Sequence, residues 1–305
     1  MLKRTAFTMI ELIFVIVIMG IIGKFGVEFL AQAYKSFIFA KINHELQSTS
    51  EQTVEFIAAR LQNRIKDSVI ARTTPPTTPP TFFPVQQSSG ANTYTVLEWI
   101  ASDVDGFRGT TKPLWSGIID LENSSSSTTV LVSPETNTTA SNTLITTLSN
   151  SQTTLNDAAL YFIGSNNDLD GYGWNGTAIA DQNSVMHPIT SVAGAGNENK
   201  FAPAVGNFSG VDVYEYYKLS WTANAVVMEN YDTTTNMGDL YFYHNYQPWN
   251  GDKYYDNNDS NHKSLIMKNV STFQFISIGA MMKIQVCTKS TLVEEYSLCK
   301  EKTVL

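Results

Sequence analysis

The strongest pattern in the chain is at its start. From residue 7 to residue 23 every position except Thr8 and Glu11 is apolar or glycine, and residues 12–23 form an uninterrupted apolar run. Extended to residue 30, the segment covers about 24 residues, about 36 Å of α-helix, which is enough to cross a bilayer with some tilt. A four-residue beat then continues through Leu30, Tyr34, Ile38, Ile42 and Leu46, and on through Val54, Ile57, Ala58, Leu61, Ile65 and Val69. One apolar face of this kind marks an amphipathic helix. Together the two patterns predict a single helix over residues 7–72, with a membrane part at 7–30 and an external part at 31–72. Ser48-x-x-Glu51 has the form of a capping box, so a break near 47–50 is the alternative.

Pro75, Pro76, Pro79, Pro80 and Pro84 remove helical hydrogen bonds and helical geometry, so residues 73–92 read as a stiff, extended Pro/Thr-rich loop. From residue 93 the rhythm changes to period two, or to short apolar runs bounded by turn residues. Candidate strands are 94–100, 116–121, 129–133, 158–163, a broken 213–228, 239–246, 272–278 and 281–287, closed by a strand around Cys299 to Lys302. Enrichment in Thr, Tyr, Phe and Val favours an antiparallel sheet over residues 93–305. Residues 123–129 and 136–156 are rich in Ser, Thr and Asn and read as loops or edge hairpins. The fold class is α+β, a long N-terminal transmembrane and spine helix packed on a C-terminal antiparallel β-sheet domain.

Charge sharpens this picture. Only 16% of residues are charged and the net charge is -8, against roughly 25% charged in ordinary soluble domains. Residues 113–199 contain no Lys or Arg. Phosphate neutralisation needs a concentrated surplus of cations, so a nucleic-acid partner is not expected. Lys3 and Arg4 precede the apolar run and place the N-terminus in the cytoplasm by the positive-inside rule. Everything after about residue 30 is then external, where disulfides persist. Cys287 and Cys299 are spaced for a bridge across a hairpin, the alternative being two unpaired thiols. Glu11, a carboxylate inside an apolar helix, reads either as a functional group or as a residue solvated at the headgroup level.

The stretch Lys3-Arg4-Thr5-Ala6-Phe7-Thr8-Met9-Ile10-Glu11-Leu12, followed by the apolar run to Gly23, resembles the N-terminus of type IV pilins and of the pseudopilins of type II secretion. In that family a prepilin peptidase removes a short basic leader just before a Phe, which becomes the N-methylated first residue. A Glu four residues on serves filament assembly. The resemblance implies a leader at residues 1–6, cleavage between Ala6 and Phe7, N-methylation of Phe7 and an assembly role for Glu11. Ala6 stands where the family usually has Gly. It further implies a pilin-like fold and a single-pass protein of the bacterial inner membrane. The C-terminal domain would lie in the periplasm, or at the cell surface in a true pilin. The implied function is that of a structural minor subunit of the periplasmic pseudopilus of type II secretion. Its partners would be other pilin-like subunits, the prepilin peptidase, the inner membrane and a secreted protein substrate. The alternatives are a minor pilin of a type IV or DNA-uptake pilus, and a membrane-anchored ligand-binding module that does not polymerise.

Other chemistry is sparse. His44, His187, His244 and His262 are scattered, and there is no nucleophile elbow, Walker loop or dinucleotide fingerprint. A non-enzymatic chain with no required cofactor is expected. The segment from Asn166 through Asp168 and Asp170 to Gly171 resembles the first half of a calcium loop, but Thr177 stands where an EF-hand needs its bidentate Glu. Some pseudopilins bind calcium through irregular acidic loops, so calcium on Asn166, Asp168 and Asp170 is one reading and Asx turns in a solvated loop are the other. Asp256 and Asp259 form a second, weaker cluster of the same kind. Tyr214, Tyr216, Tyr217, Tyr241, Tyr243, Tyr246, Trp221 and Trp249 read either as core and cross-strand pairs or as a carbohydrate-binding or adhesive surface.

Overall fold

Helix α1 (Met9–Gln62) begins with a reciprocal cap. The Thr8 backbone N–H and hydroxyl both donate to the Glu11 carboxylate, at 2.9 and 2.8 Å, and the Glu11 N–H donates back to the Thr8 hydroxyl at 3.4 Å. This is a capping box, and it satisfies donors that a helix start leaves open. Ser48 and Glu51, by contrast, lie inside an unbroken helix. There the backbone N–H groups already point at carbonyls four residues back, so a cap has nothing to do. The computed structural model describes residues 8–73, 82–88, 95–166, 168–257, 259–290 and 296–305. Ala6, Phe7 and most of the prolines of the 73–92 segment lie outside that set.

The chain divides into two compact units, Met1–Thr49 and Ser50–Leu305. In the first, α1 exposes large apolar side chains from Met9 to Phe39, and this helix is long and apolar enough to cross a membrane. In the second, the remainder of α1 is followed by short strands β1 (Ile70–Arg72), β2 (Phe82–Pro84) and β3 (Val96–Ala101), and by a single turn of helix α2 (Val104–Arg108). Next come β4 (Leu131–Val132), α3 (Thr138–Leu148), β5 (Ala159–Phe162), β6 (Met186–Ser191), β7 (Lys200–Pro203) and β8 (Tyr217–Ser220). The long strands β9 (Thr222–Asp232), β10 (Met237–Tyr246), β11 (Lys263–Ile278), β12 (Met281–Lys289) and β13 (Ser297–Val304) complete the chain. They assemble into an eight-stranded sheet, ordered β13-β12-β11-β10-β9-β3-β1-β2, and a five-stranded sheet, ordered β4-β7-β6-β5-β8. All pairings are antiparallel.

The α+β layout thus matches the sequence pattern, with two corrections in the first hundred residues. The beat predicts helix through residue 72, but α1 stops at Gln62 because the following backbone is taken by β3. Ile65 N–H donates to Ile100 C=O and Ser102 N–H to Asn63 C=O, both at 2.9 Å, before β1 pairs in register with β3. Arg64, only 3% exposed, closes the helix end by donating to Leu61 C=O at 2.7 Å and reaches Ala280 C=O at 3.0 Å. Part of the predicted 73–92 loop is likewise strand, since β2 pairs with β1. Pro84 is tolerated there because β2 is an edge strand.

The large sheet is covered on both faces. On one, Val54, Ile57, Ala58 and Leu61 of α1 meet Leu97, Trp99, Val226, Phe242 and Phe275. On the other, Val96, Ile100, Ala223 and Val227 meet Tyr172, Trp174 and Trp249. The small sheet has its own core of Phe162, Ile189, Phe201, Tyr217 and Leu219, closed by Ile145 of α3. That helix arises in the 136–156 segment expected to be loop. Asn137 caps it through Ala140 N–H at 2.9 Å, and Thr143 and Thr147 turn their hydroxyls back onto carbonyls four residues earlier. A poor intrinsic helix former is held here by burying Thr138, Ser141 and Ile145.

Within the second core, Arg72 donates to Glu98 at 2.5 Å and to Trp174 C=O at 3.1 Å, and the Tyr246 hydroxyl donates to the other Glu98 oxygen at 3.2 Å. The two charged side chains are 5% and 1% exposed. Burial works against the guanidinium charge, but the Glu98 carboxylate outweighs it and holds Arg72 above its usual range. Removing one member of a buried pair costs about 3–5 kcal/mol, whereas an apolar replacement of both is often close to neutral. Glu98→Ala is therefore expected to destabilise the folded chain by about 3–5 kcal/mol in denaturant titration. The double variant Arg72→Met/Glu98→Leu should recover most of that loss, and a double variant no more stable than Glu98→Ala would show that the pair is not the source.

Candidate functional site

The structure scatters the sequence-derived candidates rather than gathering them into one cleft. Glu11 stands at the exposed start of α1, its carboxylate engaged by Thr8. Cys287 and Cys299 occupy directly opposed positions of β12 and β13 and are disulfide-bonded, with Cα atoms 4.0 Å apart. The bridge fastens the edge strand of the large sheet. On the same strand Lys302 reaches Glu55 of α1 at 2.6 Å, a half-exposed pair worth little by itself.

Two Asx-type hydrogen bonds organise the acidic segment. Asn166 Oδ1 accepts from Asp168 N–H, and Asp168 Oδ1 accepts from Asp170 N–H, both at 3.2 Å. A one-turn 3-10 helix at Leu169–Tyr172 follows. The glycines that suggested a cation loop have a packing reason instead. A Cβ on Gly171 would come within 2.6 Å of the Val185 side chain. Gly173, at φ +87°, brings the backbone so close to Pro248 that any side chain would collide with its carbonyl. These contacts seat Tyr172 and Trp174 in the core, where Trp174 Nε1–H donates to Ser68 C=O at 3.0 Å. The second acidic segment is similar. Asp256 accepts from Lys253 N–H, and Asp259 accepts from Asn261 N–H and from the His262 ring, all at 2.8 Å. Among the described residues no group of three or more His, Cys, Asp or Glu is placed to hold a metal ion.

The aromatics divide. Tyr217, Tyr243, Tyr246 and Trp249 are buried core residues, while Tyr214 and Tyr216 are exposed. Trp221 is half-buried and helps line a cleft of about 480 Å³ with Phe56, Arg60, Phe242, His244 and Asn245. The Arg60 guanidinium lies over the rings of Phe56 and Phe242, at 5.5 and 5.8 Å. Burial lowers the His244 pKa, so the ring is neutral at neutral pH. Periodicity could not find this cleft, because it collects residues from α1, β9, β10 and β11 that share no local spacing.

No family model, curated protein or solved structure matches this chain. Each site is therefore read from its own geometry.

Two outcomes follow from that geometry. Asp168→Ala/Asp170→Ala is expected to shift the melting temperature less than Gly173→Ala, and excess chelator to leave the melting curve unchanged if the segment is held by Asx turns alone; a chelator-dependent loss of several degrees would favour the cation reading. Breaking the bridge with Cys287→Ala/Cys299→Ala should cost about 3 kcal/mol on the chain-entropy relation for so short a loop. Hydrogen exchange should locate the loss at β12 and β13, and loss spread evenly over both sheets would count against it.

Proposed function

We propose that the chain is a structural, low-copy subunit of a pilin-like filament, most simply the periplasmic pseudopilus of type II secretion. It would assemble through its N-terminal helix after removal of residues 1–6. The observation that carries this reading is the start of α1. A single carboxylate, Glu11, stands ahead of a run of large apolar side chains that nothing in the chain covers among the described residues. Such a surface needs lipid or other helices. A resident carboxylate at its head needs a cationic partner if it is to leave water.

Cleavage before Phe7 would supply that partner. The new amine lies at the end of an apolar helix, and staggered packing of two such helices can set the amine of one beside Glu11 of the other, where the low dielectric strengthens their attraction. In the isolated chain Thr8 holds the carboxylate, so assembly exchanges a local cap for an intermolecular ion pair. The α+β layout, with the Val54–Leu61 stretch of α1 packed on an antiparallel sheet, supports the same reading. The inner-membrane location and periplasmic domain belong to this proposal. A second reading, a membrane-anchored ligand-binding module, draws support from the cleft beside Arg60 and Trp221.

Two measurements test the assembly reading. Mass spectrometry of the protein from cells that possess a prepilin peptidase should find N-methyl-Phe7 as the first residue, and recovery of intact Met1 would remove the basis for it. Glu11→Ala should insert in the membrane and fold normally, yet cross-link to other pilin-like subunits about tenfold less or worse, as loss of a buried charge partner requires. Thr8→Val, which removes the capping hydroxyl but keeps the carboxylate, should retain assembly. Undiminished cross-linking of Glu11→Ala would favour the anchored module.

A further inference from the structure

The cleft beside the end of α1 contains an amide and a cation that the chain itself leaves unmatched. Asn224, on β9, is 4% exposed and pairs with Trp99 of β3. Trp99, and Val226 two residues along β9, belong to the core beneath α1, so the Asn224 side chain points to that same face, where the cleft opens. Its amide makes no hydrogen bond among the described residues, yet neither amide atom is sealed from solvent. Native folds rarely leave a buried amide unmatched, and one kept open in a cleft is a ready contact for a ligand.

Arg60 lines the same space. Its guanidinium lies over the rings of Phe56 and Phe242, which meet edge to face with centroids 5.1 Å apart, and His244 stacks on Phe242 at 5.6 Å. These rings fix the cation in place but offer it no acceptor, and among the described residues Arg60 has neither an ion pair nor a hydrogen bond. A guanidinium carries five donors in a planar fork that fits a carboxylate. Two acids also line the cleft, but neither serves Arg60. Asp103 is buried and accepts from Gly106 N–H at 3.0 Å and from Trp115 Nε1–H at 3.1 Å. Asp105 is exposed and forms no ion pair with Arg60. Leu148, Trp221 and Ile266 add apolar wall, and the volume of about 480 Å³ is that of a small-molecule site rather than of a simple anion.

We infer that this cleft binds a carboxylate carried on an apolar body, as in an arylalkanoic acid or a peptide C-terminus with an aromatic last residue. Arg60 and the Asn224 amide nitrogen donate to the carboxylate, while Trp221, Leu148 and Ile266 cover the apolar body. The inference goes beyond filament assembly and does not rest on it, since every lining residue belongs to the Ser50–Leu305 unit. It gives the cleft a ligand class that a filament subunit and an anchored module could equally use.

The test is calorimetric titration of the full-length protein in a neutral detergent, blanked against detergent alone, with 3-phenylpropanoate and with its uncharged isostere 3-phenylpropanamide. Saturable binding of the acid is expected, at least about tenfold tighter than that of the amide. Arg60→Gln, at an exposed position, should lower affinity for the acid at least about tenfold and leave affinity for the amide unchanged, a split that a merely structural arginine would not produce. Asn224→Asp keeps the shape but sets a like charge against the carboxylate, and should abolish binding of the acid while sparing the amide. Glu11→Ala should bind as the unaltered protein does, which separates this test from that of assembly. N-acetyl-Ala-Phe identifies the source: tighter binding than the free acid indicates a peptide C-terminus, weaker binding a free acid, and either upholds the carboxylate reading. Absence of saturable binding by both carboxylates, equal affinity for acid and amide, or undiminished binding of the acid by Arg60→Gln would overturn it.

Discussion

The two-sided burial of β3 is the constraint on which the second unit depends. Its residues alternate between the core beneath α1, through Leu97 and Trp99, and the opposite core, through Val96 and Ile100. Full burial of each large apolar side chain contributes about 1.5–3 kcal/mol, so this one strand draws two apolar layers onto the same sheet. The exception in its pattern is Glu98, which faces the second layer and is tolerable only because Arg72 and Tyr246 meet it there. Pairing with β3 also draws in β1 from one side and β9 from the other.

That pairing decides where the helix stops. Val54 through Leu61 keep one face on the sheet, and a continuing helix would carry Ile65 and Val69 onto that face. Instead Ile65 contributes to the opposite core while Val69 returns to the first. The competing hydrogen bonds from the β3 backbone, with the Arg64 guanidinium on the last helical turn, make the exit sharp. Arg64 also accepts the cost of its own burial, since loss of water pushes its pKa down while carbonyls replace only part of its hydration.

The first unit has the opposite economy. Its large apolar side chains from Met9 to Phe37 are mostly exposed, and at the start of α1 Thr8 and Glu11 satisfy each other. The carboxylate is therefore held without being committed to a distant partner. The second unit, in turn, contains its own cores and its own disulfide.

The N-terminal helix, its apolar run and Glu11 were legible in the sequence because each is local, set by composition and by spacing within a few turns. The long strands β9 to β12 and the cystine were legible for a similar reason, with alternation and hairpin spacing surviving as near-neighbour signals. The form of a capping box occurs in the sequence both at Ser48 and Glu51 and at Thr8 and Glu11, and only position within the helix separates them. The end of α1 at Gln62, the strand at Phe82–Pro84, helix α3, strands β6 and β7 and the closure of β4 to β8 into a separate sheet were not legible. Each is decided by what lies across from it: a β3 carbonyl, an edge without a neighbour, or an apolar pocket for Ile145. The glycines at 171 and 173 show the same division, since sequence marks them as turn residues and only the nearness of Val185 and Pro248 explains why no other residue fits. Local periodicity records which face a segment must bury, while the partner that buries it comes from parts of the chain whose contact no spacing encodes.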